Sequence, residues 1–464
     1  MKHAIKFNEA VKKLRRTNDI YNARNILWQV FSKEKCGKLC GKNIRILILS
    51  APCMGMGDIV FSKKIGDYMR QWYGAKVTIA TTNPSGLRSL NSRNLTIVTL
   101  NSGHVSNCRR FKKLTMNGNL PRQDLIFVAP ITSEFHPVLR DVQYLIPYAS
   151  KTNTFFFSEY NNKWEWETDF PTGIGGRKMG LLLTDPPIHN RYRKLKNPYV
   201  MTYIANQDSI HRANRCMLAF LEMVAKKYHL KHSKLDVVLP AWTFKEYDHF
   251  YYEHCKKLLK YYSKIMLKLP GEKAYIIVED KKSKKQSRNI KRGSRKKSRK
   301  KSRKKSRKKS RKKSSVLTFR ADIYPVANST MTTLFRHSLD DVLVTGDQSF
   351  TDVISCCASK NIFYQIAEWK KSFSSYLAKL LPNKYLLKKS TSCGTMAAIR
   401  YTSDYKGFTK KWDFRINARP KLNGIILAAK AQKENKDFKI LAKDIDEARG
   451  YGMLEDIDRL KKLY

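Results

Sequence analysis

Apolar residues along this chain come in short, dense runs separated by segments of helical length. The first run, Ile44-Arg45-Ile46-Leu47-Ile48-Leu49-Ser50, is branched and nearly continuous, which predicts a strand buried on both faces. It ends in Ala51-Pro52-Cys53-Met54-Gly55-Met56-Gly57-Asp58. Ile59, Ile65, Tyr68, Met69 and Trp72 then give one apolar face to a helix from Ile59 to Trp72. Val77–Thr81, Leu95–Leu100, Leu125–Ala129 and Thr154–Phe157 continue as strands. This alternation is that of βαβ units in a mostly parallel sheet.

A second series follows the glycine-rich stretch Gly173–Gly180. Leu181–Thr184, Tyr199–Ala205, Asp236–Leu239, Tyr275–Glu279, Leu317–Arg320, Val342–Thr345 and Ile362–Gln365 read as strands, and Arg212–Leu230 as an amphipathic helix. From about residue 421 the chain is charged, with Lys, Asp and Glu spaced for ion pairs along helices. The expectation is an α/β protein of two Rossmann-like domains facing a cleft. The first spans 1–190 and the second 191–420, interrupted by a disordered insert at 281–315, with a helical tail at 421–464. At 464 residues and 42% hydrophobic, the chain is long enough for two cores of ordinary size.

Charge adds a further feature. The formal net charge is +54, and residues 281–313 hold 22 basic and no acidic side chains, which leaves the rest of the chain at +32. Within that segment Arg-Lys-Lys-Ser repeats from Arg295, Arg299, Arg303, Arg307 and Arg311. So dense a block of like charge forms no core. It reads either as a tolerated surface insertion or as a tether in Arg295–Lys313 for RNA, DNA or acidic lipid, with salt-sensitive, nonspecific contacts. The nine cysteines include no C-x-x-C pair and suggest neither a disulfide framework nor a thiolate zinc site. No apolar stretch reaches the ~18 residues of a membrane span, and Met1–Arg16 has no signal-like apolar region. A soluble, cytoplasmic protein without a transmembrane segment is the expectation.

Two turns carry the candidate chemistry. Gly55-Met56-Gly57-Asp58 lies between a strand and a helix, where glycine lets the backbone turn sharply and approach a ligand. It lacks the third glycine of a dinucleotide fingerprint, and the next strand ends in Thr81-Thr82-Asn83-Pro84 without a carboxylate, which disfavours an NAD enzyme. A Walker A sequence is also absent. Asp58 either caps its helix or takes a proton from an acceptor. The second turn is Thr345-Gly346-Asp347-Gln348-Ser349-Phe350-Thr351-Asp352. Its helix amides and Ser349 could cradle a diphosphate, and Asp352 could hold ribose hydroxyls. Alternatively, Ser349-x-x-Asp352 is a capping arrangement.

These residues carry a resemblance. Thr345–Asp352 followed by Ser359-Lys360-Asn361-Ile362-Phe363-Tyr364-Gln365 resembles the C-terminal donor site of GT-B glycosyltransferases. Gly57-Asp58-Ile59-Val60 looks like the N-terminal turn of inverting heptosyltransferases and protein-arginine rhamnosyltransferases. The resemblance implies a hexosyl or deoxyhexosyl transfer from a nucleotide-sugar, bound as substrate with no cofactor and no obligatory metal. It implies Asp58 as general base, Gly55 and Gly57 as the acceptor-side turn, and Gly346, Asp347, Gln348 and Ser349 as the phosphate cradle. Asp352 would then meet the ribose, Tyr324 would stack on the base, and Gln365 would end the last strand of the site. The chain departs from the family in having Gly346-Asp347 where many members have two glycines, and Ser359-Lys360-Asn361 where Gly-x-Pro is usual. Two alternatives stand beside this reading: a nucleic-acid-binding protein on an α/β scaffold, and an inactive fold kept for partner binding. Asp444-Ile445-Asp446 and Asp456-Ile457-Asp458 read as solvated helix faces rather than metal motifs. His229 and His232 have no third zinc ligand in reach of the pattern.

Overall fold

The run at Ile44 forms β1 (Arg45–Ser50), the central strand of a seven-stranded sheet in the computed structural model of the chain. The structure describes residues 34–52, 56–90, 94–102, 114–117, 120–131, 139–158, 169–173, 179–183, 195–204, 210–244, 248–280, 315–356, 360–365, 386–387, 396–400 and 418–447, together with Glu9, Lys12, Val30 and Phe31. The chain divides into two compact units. One is Met1–Leu183 with Thr409–Tyr464, and the other is Thr184–Phe408.

In the first unit β1 is followed by α1 (Gly57–Tyr73), β2 (Lys76–Thr81), α2 (Pro84–Ser89), β3 (Thr96–Ser102), β4 (Leu114–Met116), β5 (Leu125–Ile131), α3 (Leu139–Leu145), β6 (Thr154–Ser158) and β7 (Phe170–Pro171). The sheet order is β4-β3-β2-β1-β5-β6-β7, parallel except for β4. The chain thus works outward from β1 to β3 and returns to β5, so the order reverses between β1 and β5. Both faces are covered. Leu47, Leu49, Ile126 and Val128 pack with Leu139 and Val142 of α3. On the other face α1 lies so close that a Cβ at Gly66 would come 3.3 Å from Ile79 Cδ1 and 3.4 Å from Ile48 Cδ1. A glycine therefore permits the helix–sheet approach.

The second unit contains β8 (Tyr199–Tyr203), α4 (Ile210–Tyr228), β9 (Lys234–Val238), α5 (Asp248–Leu258), β10 (Lys264–Lys268), β11 (Tyr275–Glu279), β12 (Val316–Arg320), α6 (Asn328–His337), β13 (Asp341–Thr345), α7 (Asp347–Cys356), β14 (Asn361–Gln365), β15 (Leu386–Leu387) and β16 (Met396–Arg400). Its nine strands run β11-β10-β12-β9-β8-β13-β14-β16-β15, with a parallel centre from β10 to β14 and antiparallel strands at both edges. Here the order reverses between β8 and β13. Leu343 and Phe363 face α4, where Phe220 meets Phe363 edge-on at 5.4 Å. The opposite face carries α6 and α7: Tyr199 Oη donates to Leu334 O at 2.9 Å, and Phe350 packs edge-on against Tyr364 at 5.8 Å. Lys360, just before β14, is buried and donates to Ser338 O (2.5 Å) and Leu339 O (3.3 Å), carbonyls just past the end of α6.

The basic insert joins β11 to β12. Its described flanks meet at one residue, because Asp280 N–H donates to Ser263 O at 3.0 Å and Ser263 N–H donates to Ser315 O at 3.0 Å. Ser263 immediately precedes β10, so the insert leaves from the amino edge of the parallel strands. Residues 281–314, and with them Arg295–Lys313, lie outside the described residues.

The C-terminal segment folds back onto the first unit as α8 (Arg419–Glu434) and α9 (Lys436–Glu447). Tyr73 Oη donates to Asn423 Oδ1 at 2.5 Å, the Arg419 guanidinium lies 4.2 Å over the Trp72 ring, and Phe31 meets Phe438 at 5.5 Å. Asp446 accepts from Thr152 Oγ1 (2.9 Å) and Thr152 N–H (3.2 Å), and burial raises its carboxyl pKa. The solvated-face reading fails for this aspartate, which fastens α9 to the turn before β6. Asp456 and Asp458 lie outside the described residues.

Three further details differ from the sequence expectation. Leu181–Thr184 is not a strand in its described part: Leu181 is a bridge residue next to the Gly173–Gly180 bridge, and Leu182 and Leu183 are outside any strand. β10 was not expected, because Lys264 and Lys268 at its ends give a five-residue run a polar outline. Cys36 and Cys40 form a disulfide. Successive tight turns bring their Cα atoms to 5.9 Å, a separation an S–S bond spans. Among the described residues no helix is long and apolar enough to cross a membrane.

Candidate functional site

In open α/β sheets a ligand crevice forms at the carboxyl ends of the strands where their order reverses. In each unit one such place coincides with one of the two turns singled out in the sequence.

In the first unit the place is the end of β1 beside β5. Ser62 of α1 ties its first turn there. Its Oγ is 2.6 Å from Ala129 O, 2.8 Å from Asp58 O and 2.6 Å from Ser50 Oγ. A hydroxyl has one proton, so with Ser62 donating to a carbonyl, Ser50 donates to Ser62. Met56 is the N-cap residue and makes no side-chain cap bond, whereas Asp58 is the second residue of α1. Asp58 is therefore not the cap. It is 7% exposed, in the first helical turn, where the amide dipoles favour a carboxylate. A Cβ added at Gly57 would meet nothing within 4 Å, so space is open beside the turn. Gly55 lies outside the described residues.

In the second unit the place is the end of β13 beside β8. Gly346 has φ +72°, and a Cβ there would also meet nothing within 4 Å. The left-handed backbone favours glycine at this position. α7 starts at Asp347, and the first amide bonded back into the turn is Phe350 N–H to Gly346 O at 3.2 Å. The backbone N–H groups of Asp347, Gln348 and Ser349 thus occupy the helix positions that ordinarily receive an anion. Ser349 sits inside the helix, so Ser349-x-x-Asp352 is not a capping box. Gln348 Nε2 donates to Asp352 Oδ1 at 3.0 Å. Since a carboxylate only accepts, this fixes the amide orientation. Asp352 itself is 2% exposed and lies beneath the helix rather than at its tip.

Two polar atoms at this turn, Thr345 Oγ1 and Gln348 Oε1, are buried without a hydrogen-bond partner. Such groups cost about 1–3 kcal/mol each and call for an explanation. Gln365 ends β14 in register with Thr345 and is buried.

No protein-family model and no curated protein matches the chain.

Tyr324 follows β12 and donates from its Oη to Thr202 O at 2.9 Å. Its ring and that of Tyr203 make a T-shaped contact, with centroids 5.9 Å apart at 69°. Burial raises both phenol pKa values, so both rings stay neutral. Tyr203 is the residue that sequence reasoning missed. It ends β8 opposite Val344, and the residue is 38% exposed. Near the same edge Arg320 clamps Asp322 through two bonds, Nε to Oδ1 at 2.7 Å and an Nη to Oδ2 at 2.9 Å, and reaches Asp236 at 3.4 Å. The His229 ring is turned to its own helix, with Nδ1 2.9 Å from Lys226 O. Among the described residues no cluster of three or more His, Cys, Asp or Glu side chains is placed to hold a metal ion.

Proposed function

We propose that the protein is a glycosyltransferase of the GT-B type that uses a nucleotide-sugar donor without a metal ion. The observation carrying this reading is the coincidence of each glycine turn with the strand-order reversal of its own unit. One turn holds a carboxylate, Asp58, and the other offers the amides of α7. In the proposed reaction Asp58 takes the proton of an acceptor nucleophile as that atom bonds to the anomeric carbon. The bond from that carbon to the diphosphate oxygen breaks on the opposite face, inverting the centre. The amides of Asp347, Gln348 and Ser349 stabilise the charge gathering on the departing diphosphate.

The test is calorimetric titration with the nucleoside diphosphates UDP, GDP, CDP and dTDP, on the full chain and on a chain lacking residues 281–313. Because both flanks of the insert are held at Ser263, its removal is expected to leave folding and nucleotide affinity unchanged. Saturable binding of one nucleotide by both chains supports the reading. Absence of binding by either chain refutes it.

A second reading, nucleic-acid binding, draws on the 22 basic residues of 281–313. It requires that the same deletion abolish RNA or DNA affinity together with its steep dependence on salt. Fluorescence anisotropy with a labelled oligonucleotide across a salt series measures both.

A further inference from the structure

The donor reading places phosphates at the start of α7 but leaves open what grips the other end of a nucleotide. The candidate taken from sequence, Tyr324, is committed: its hydroxyl is bound to Thr202 O at 2.9 Å and its ring is packed against Tyr203. Tyr203 is different. Most large aromatic side chains of the second unit's centre, including Tyr199, Phe319 and Tyr364, are buried in the core, whereas Tyr203 is 38% exposed.

Its position is set by register. Tyr203 pairs with Val344, and Val344 pairs with Tyr364. Paired residues of parallel strands point to the same side of the sheet. Tyr364 packs against Phe350 of α7, so Tyr203 lies on the α7 face. From Tyr203 to Gly346 is one strand spacing sideways and two residues along, about 8 Å between Cα atoms. The ring is therefore displaced from the open glycine turn by roughly the length of a nucleoside. Tyr324, anchored through its hydroxyl to Thr202 O, makes a T-shaped contact with it, and such a contact covers at most one face of the Tyr203 ring.

The geometry points to Tyr203 as the residue that stacks on the nucleobase, with Tyr324 as its positioning residue. This rests on the donor reading and narrows it: the site recognises its ligand through an aromatic base as well as through phosphate, and would discriminate a nucleoside diphosphate from a sugar phosphate or an inorganic anion.

The experiment compares wild type, Tyr203→Phe, Tyr203→Ala and Tyr324→Phe for binding of the four nucleoside diphosphates, with inorganic pyrophosphate titrated in parallel. Base–aromatic stacking predicts that Tyr203→Ala weakens nucleotide binding by about 10-fold or more. Tyr203→Phe keeps the ring and should bind close to wild type, and pyrophosphate affinity should not change in any variant. Hypochromism of the bound base should vanish in Tyr203→Ala alone. If Tyr203→Ala binds nucleotide as well as wild type, or loses pyrophosphate in equal measure, the stacking role falls while the donor reading stands. If wild type binds pyrophosphate but no nucleoside diphosphate, or binds neither, the stacking role and the donor reading fall together.

Discussion

Replacing Arg320 by methionine is expected to destabilise the chain by about 3–5 kcal/mol, the cost of removing one partner from a buried ionic cluster. Arg320 is 7% exposed and Asp236 2%. The guanidinium satisfies both oxygens of Asp322 at 2.7 and 2.9 Å and lies 3.4 Å from Asp236. Methionine fills a similar volume, so the loss is electrostatic rather than a cavity. Asp322 keeps Lys268 at 3.5 Å and Asp236 keeps the Asn197 amide at 3.1 Å, which sets the effect toward the lower end of the range. Urea unfolding followed by circular dichroism measures it. A change within about 1 kcal/mol would mean that the cluster is solvated in the way exposed pairs are.

The two carboxylates should respond to pH in opposite senses. Burial acts to raise Asp322, but the bonds and charge of Arg320, helped by Lys268, outweigh it and hold the carboxyl below its ordinary value. A depressed folded-state value contributes stability above the unfolded pKa of about 3.9, and this is lost as pH falls through the folded value. Burial dominates at Asp236 and leaves its pKa raised despite Asn197 and Arg320. Its ionisation therefore costs stability as pH rises through the unfolded value. Asp322→Asn should flatten the acid-side loss of stability, and Asp236→Asn should relieve the neutral-side cost.

The sequence made the sheet centres readable because β1 and β13 are branched apolar runs buried on both faces, and such runs have few other uses. It also located both turns, since glycine beside a strand end leaves a local mark. What it did not disclose depends on pairing. β10 is recognisable only through the neighbours on its two sides, β11 and β12. Asp446 looked like one charge among many in α9, and its role arises from Thr152, 294 positions away. Tyr203 read as an interior residue of an apolar strand Tyr199–Ala205, whereas β8 ends at it. Its exposure follows from its register with Val344 at a reversal of strand order, a property of the whole sheet. Asp352 shows the reverse error: the spacing Ser-x-x-Asp is visible locally, yet α7 begins two residues before the serine and turns the aspartate inward to Gln348.

Asp58→Asn carries the largest expected effect on activity. If Asp58 is the general base, its amide should lower turnover by 10²–10⁴-fold, the usual contribution of a positioned proton acceptor. Nucleotide affinity should stay as it was, because the donor contacts proposed above lie in the other unit. The fold should also survive. Asp58 is not the N-cap of α1, and the first turn remains pinned through Ser62 to Ala129 O and Asp58 O, neither of which the substitution alters. The substitution also removes the attraction between a carboxylate and the helix amides, about 0.3–1 kcal/mol. Transfer of radiolabelled sugar, expressed per folded molecule, separates the two contributions. A base role predicts a rise of kcat with pH in wild type that is absent from the variant. Turnover that falls only in proportion to the unfolded fraction would assign Asp58 to the helix instead, and another group in the first unit would have to accept the proton.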